Sequence, residues 1–188
     1  MAHLSENTAG ILDVKSEPGT YLLYGGTEVY RLTMETAASS LVAGKKVFWV
    51  DGDNSFNPYI LSTAAKRTGI NPVTMLSLLF IARAFTAHQL GAMVVRYLAP
   101  ALARDPDALG IIYNPLSLCL DPDVSSHDAR RVLQQITKVM KESQIQRCRL
   151  IVVCPDIERR TASKEGHVKA KEHLFNMLHA VCNRKLPD

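Results

Sequence analysis

Short apolar runs alternate with stretches of helical spacing along the whole chain. Tyr21-Leu22-Leu23-Tyr24 reads as a strand ending at Gly25-Gly26. Met34, Ala37, Ala38, Leu41 and Val42 then recur at the period of an amphipathic helix, which Gly44 closes. Val47-Phe48-Trp49-Val50 is a second strand rich in β-formers. Pro58 starts the next helix, with Leu61, Ala64 and Ala65 inward and Gly69 as its stop. Leu78 to Ala82 makes a third strand, and the helix after it carries Ala87, Leu90, Val94, Leu98 and Leu102 until Asp105-Pro106-Asp107 ends it. Leu109 to Tyr113 is the fourth strand. Ser125 or Ser126 caps a helix with Ala129, Val132, Leu133, Ile136 and Met140 on one side. Leu150 to Val153 is the fifth strand, and a last helix over about 167–183 buries Ala170, Leu174, Met177, Leu178 and Val181.

Strands this uniformly apolar, each followed by a helix, predict an α/β fold of three layers: a mostly parallel central sheet of about five strands with helices on both faces. One domain over 1–188 accommodates all of it, with an extended N-terminal segment at 1–18 and a mobile loop at 155–168. No internal repeat or low-complexity tract interrupts it. Ligands of such sheets bind at the C-terminal ends of the strands, so the turns after each strand carry the chemistry.

Composition narrows the classes. At 47% apolar residues a buried core is affordable, yet Arg83, His88 and Arg96 break the longest apolar stretch, which argues against a membrane partner. The N-terminus MAHLSENTAG lacks the basic-then-apolar layout of a secretion signal, so a cytoplasmic location is expected. Cys119, Cys148, Cys154 and Cys182 form no CxxC pair and read as buried small hydrophobes. His167, His173 and His179 recur every six residues, which spreads them around a helix, so no metal site is expected. The net charge of +4 is uneven: residues 1–125 carry nine basic and eleven acidic side chains, residues 126–188 thirteen and seven. That asymmetry points to an anionic partner on the C-terminal third, or to no more than a solvated basic surface.

The first turn, from Tyr24 to Thr33, stands where a phosphate loop belongs. A working loop reads G-x-x-x-x-G-K-[ST]: backbone N–H groups wrap the phosphates, Lys neutralises them and the hydroxyl holds Mg²⁺. Here Gly25 opens the frame, but Tyr30 replaces the second glycine, Arg31 the lysine and Leu32 the hydroxyl, with Thr33 one position late. The next turns are more specific. Asp51-Gly52-Asp53-Asn54-Ser55-Phe56-Asn57-Pro58, then Gly69-Ile70-Asn71-Pro72, then Ala82-Arg83-Ala84-Phe85 leading to His88-Gln89 follow in order over about 45 residues. They resemble the second and third strands and turns of RadA-type recombinases, within the RecA/RadA-like family.

That resemblance implies a RecA-like core whose hydrolytic residues have been replaced. It sets Asp53 at the water-activating carboxylate, Asn114 at the magnesium-binding aspartate and Gln89 near the nucleotide or a subunit contact, although Gln89 equally suits a helix cap. It implies no catalytic residue and no obligatory cofactor; ATP would bind without hydrolysis, if at all, with Arg31 as the phosphate contact. It sets the DNA-facing loops at about 114–126 and 155–168. The first is acidic; the second, with the helix after it, offers Arg159, Arg160, Lys164, Lys169 and Lys171 to phosphates of single-stranded DNA, or is a solvated loop with its own ion pairs. The function implied is a non-catalytic paralogue that assists recombination or repair by binding DNA, a partner recombinase or itself. The alternatives are a ring-forming or regulatory RecA-like module, KaiC-like or Elongator-like, acting on protein or RNA, and an ATPase with an atypical phosphate loop.

Overall fold

The computed structural model describes residues 17–26, 28–155, 165–182 and 184–187. Six strands form one sheet: β1 (Gly19–Gly25), β2 (Val47–Asp51), β3 (Leu79–Arg83), β4 (Leu109–Tyr113), β5 (Arg149–Pro155) and β6 (Arg184–Pro187). They lie in the order β3-β2-β4-β5-β1-β6, and every neighbouring pair is parallel. This is the expected three-layer α/β arrangement of RecA-like type, with one strand more than the five expected. The sequence Arg184-Lys185-Leu186-Pro187 has no apolar run to announce a strand; pairing with the preformed edge of β1 makes it one.

The strand residues alternate between two cores, as the period of two requires. Tyr21, Trp49, Ile111 and Val153 face one side, packed by α1 (Glu28–Val42), α2 (Pro58–Arg67) and the short α3 (Pro72–Leu76). Leu22, Val50, Ile112 and Val152 face the other, covered by α4 (Ala87–Met93), α5 (Ala99–Arg104), α6 (Pro115–Cys119), α7 (Ser126–Ile145) and α8 (Glu165–His179). Helix starts follow the capping residues in the sequence. Asn57 accepts the Tyr59 N–H ahead of Pro58, Thr86 accepts the Gln89 N–H, and of the two candidate serines Ser125 caps α7 by accepting the Asp128 N–H.

Three departures have physical causes. The single helix expected from Ala87 to Leu102 contains a π turn at Val94–Leu98, where the Ala99 N–H reaches back to the Val94 carbonyl. Pro100, two residues into the next segment, has no N–H for the Arg96 carbonyl, and the wider turn accommodates that gap. The short helices α3 and α6 escaped the periodicity because each is five residues long, begun by Pro72 or Pro115 behind an asparagine. Of the loop expected at 155–168, Pro155 ends β5 and 165–168 are already helical; 156–164, like 1–16 of the N-terminal segment, fall outside the described residues.

β3 is an edge strand and its faces are poorly covered. Phe80 and Ile81 keep 47% and 39% of their surface accessible, with Phe80 stacked on Phe48 at 5.0 Å between ring centroids. Among the described residues no helix is long and apolar enough to cross a membrane.

Candidate functional site

The C-terminal ends of β1, β2 and β4 converge where the phosphate loop was expected. Only Gly26 and Thr27 separate β1 from α1, so Glu28 and Val29, which the phosphate-loop frame would leave free to wrap a ligand, are already helical. Tyr30, Arg31, Leu32 and Thr33 are helical as well and point in four different ways. Tyr30 reaches across to the turn after β2, where its hydroxyl donates to the Ser55 carbonyl and accepts the Asn57 N–H, both at 3.1 Å. Burial pushes its pKa up, against the lowering effect of the Asn57 hydrogen bond.

Arg31 does not face the strand ends. Its guanidinium is held on the helix surface by Glu28 and Glu35, each at 2.7 Å. Leu32 is core, and Thr33 is fully buried with its hydroxyl donating to the Val29 carbonyl at 2.7 Å. Neither side chain is available to a ligand: one has no polar atom, and the other has spent its proton within its own helix.

The turn after β2 is organised by Asp51, a residue the sequence reading did not single out as part of the site. Its carboxylate is buried and takes the N–H of Asp53 on one oxygen (3.1 Å) and of Phe56 on the other (3.0 Å). A strand-ending Asp before Gly-Asp-Asn-Ser is the signal that could have found it, because Asp side chains habitually bond the backbone two residues on. Gly52 lies so close to the next turn that a Cβ there would sit 2.8 Å from the Asn114 carbonyl oxygen and 2.9 Å from that of Tyr113. Its N–H donates to the Tyr113 carbonyl at 2.8 Å.

Asp53, which the resemblance sets at the position of a water-activating carboxylate, accepts the Ser117 hydroxyl at 3.1 Å and so ties this turn to α6. Asn114 sits in the left-handed region (φ 47, ψ 56), a conformation Asn tolerates, and its N–H donates to the Val153 carbonyl at 2.8 Å. Tyr113, stacked on Trp49 and met edge-on by Tyr30 at 5.7 Å, closes the floor. Burial first, then the charge of Asp53, pushes its phenol well above the ordinary range. The polar atoms of Tyr30, Asp51 and Asp53 are thus committed to one another's turns, in a cluster whose formal charges are negative. Among the described residues no group of three or more His, Cys, Asp or Glu is placed to hold a metal ion.

Gln89 stands apart from this cluster. Its side-chain oxygen accepts the Phe85 N–H at 2.9 Å while its own N–H goes to Thr86, a reciprocal cap at the start of α4. Of the residues expected to meet DNA, Arg159, Arg160 and Lys164 and the side chain of Lys169 lie outside the described residues. Lys171 is corrected: it is only 9% exposed, turned into the core side of α8 near Cys154, where a solvated polyanion does not reach it. No protein-family model matches the chain, and no curated protein matches it significantly.

Proposed function

We propose that the chain is a non-hydrolysing RecA-like core that assists recombination or repair by docking on a partner recombinase or a second copy of itself. The observation that carries this is the closure of the nucleotide position. A two-residue β1–α1 connection leaves no backbone to wrap a triphosphate, and the Tyr30 hydroxyl is bonded into the facing turn. Catalysis of phosphoryl transfer is positioning and charge stabilisation, and the carboxylates at these strand ends, Asp51 and Asp53, are engaged by neighbouring backbone and hydroxyl groups.

Docking is supported by the outer edge of β3, with which no strand among the described residues pairs, and where Phe80 and Ile81 are exposed. Exposed apolar edges of this kind are templates for another chain. The test pairs two measurements. Mg-ATP should neither raise the thermal midpoint nor yield phosphate above a protein-free blank; either effect overturns the non-hydrolysing reading. Light scattering of the chain alone and with a RadA-type recombinase should show association that Phe80→Glu abolishes. Monomers in both samples remove the docking reading, and a closed homomeric ring favours the regulatory alternative.

Binding of DNA has one observation of its own, the concentration of basic residues in 126–188. Single-stranded DNA should then bind in a salt-sensitive way, weakened by Arg159→Ala with Arg160→Ala; absence of binding at low salt removes it.

A further inference from the structure

A concave site lies between α4 with the π turn after it and α7. It is a cavity of about 300 Å³ lined by His88, Gly91, Ala92, Val95, Arg96, Arg131, Val132 and Gln135. Its shape follows from helix periodicity and one glycine. His88, Ala92 and Arg96 are spaced by four along one face of the first helix and the π turn, and Arg131 and Gln135 are spaced by four on the other. At Gly91 the Gln135 side-chain oxygen packs over the helix backbone, 2.5 Å from where a Cβ would stand. The floor is therefore small and apolar, and the walls are tall and polar.

We propose that this cavity binds the phosphate group of a small phosphorylated ligand. Its walls carry two guanidiniums, an imidazole and an amide, and no carboxylate. Among the described residues neither Arg96 nor Arg131 is in an ion pair, whereas Arg31 on α1 is paired twice. One carboxylate, Asp128, lies within electrostatic range of His88 and Arg131; the Ser125 hydroxyl that caps its own helix donates to it at 2.6 Å and leaves its charge in place, partly offsetting those two cations. Unpaired guanidiniums on facing walls suit an oxyanion, because their planar forks take two oxygens at once. The Gln135 amide adds a neutral donor whose place is set by the Gly91 contact.

Concavity selects the ligand class. A polyanion needs a stripe of cations that follows its backbone, whereas a short, half-open cleft with two arginines takes one discrete phosphate with room for a small remainder. The site is independent of the strand-end cluster: its residues lie on α4, the π turn after it and α7, and none belongs to the Tyr30–Asp51 cluster.

The experiment uses the full chain with inorganic phosphate and pyrophosphate as probes, against sodium chloride at matched ionic strength. Either probe should raise the thermal midpoint by roughly 2–4 °C at saturating concentration. Arg96→Gln with Arg131→Gln should abolish that rise while leaving the midpoint in chloride unchanged, since both side chains are exposed. ³¹P line broadening by the native chain and its loss in the double variant give a second readout that does not depend on folding stability. A rise equal to that in chloride, or one that survives the double variant, overturns the proposal. So does single-stranded DNA binding that depends on these two arginines without any response to the small probes, which would make the groove part of a polyanion surface.

Discussion

At the scale of single residues, the C-terminal ends of β1, β2 and β4 are occupied by bonds that the chain makes to itself. Tyr113 shows how tightly. Its phenol is favoured neutral by burial and by the nearby Asp53, so its folded pKa lies above the unfolded value of 10.0. Between those two values the unfolded chain releases a proton that the folded chain keeps, so stability is intact below about pH 10 and falls as pH rises above it. Urea midpoints measured from pH 8 to 11.5 should show this decline, and Tyr113→Phe should flatten it; an equal slope in the variant would mean that other groups carry the titration. Gly52 is the second residue on which the arrangement turns. A methyl group there meets two carbonyl oxygens of the β4 turn at under 3 Å, both fixed by backbone hydrogen bonds. Gly52→Ala should lower unfolding stability by about 1–3 kcal/mol, read by urea denaturation, and an unchanged midpoint would show that the two turns can separate.

At the scale of elements, caps and prolines decide where helices begin, and some of these were legible. Pro58 stands at its helix start as expected, and Ser125 is the cap of the two serines that were candidates. His88-Gln89 was ambiguous between a ligand contact and a cap, and geometry assigns Gln89 to the cap. Thr86→Ala should accordingly cost about 1 kcal/mol and loosen α4, with amide exchange rising at Gln89 and Leu90; no change in exchange would remove the cap from the account. The π turn was not legible, because Pro100 in a helical pattern announces an interruption but not its form. The short helices after Asn71 and Asn114 are also invisible to an amphipathic period, since five residues do not complete two turns.

At the scale of the whole molecule, the proposed closure of the strand ends to a nucleotide rests on chain length between elements as well as on side chains. Had Tyr30 merely filled an otherwise intact cradle, Tyr30→Ala would reopen it. With only Gly26 and Thr27 between β1 and α1, that variant should still give no thermal shift with Mg-ATP, although losing the Ser55 and Asn57 contacts should lower its midpoint. Saturable ATP binding by Tyr30→Ala would show instead that the first turn of α1 unwinds to serve as the loop. The amino-acid order by itself determined the three-layer parallel architecture, because apolar runs of strand length separated by helical periods admit few other solutions. It also determined which residues stand in the frame of the first turn, Tyr30, Arg31 and Leu32, since that is a matter of residue type. Only the tertiary structure decided that Arg31 turns away to Glu28 and Glu35, that Lys171 is buried, that Asp51 organises the turn, and that β3 stands at an edge of the sheet. These depend on which segments meet in space, and neighbours distant in sequence leave no period or spacing by which to read them.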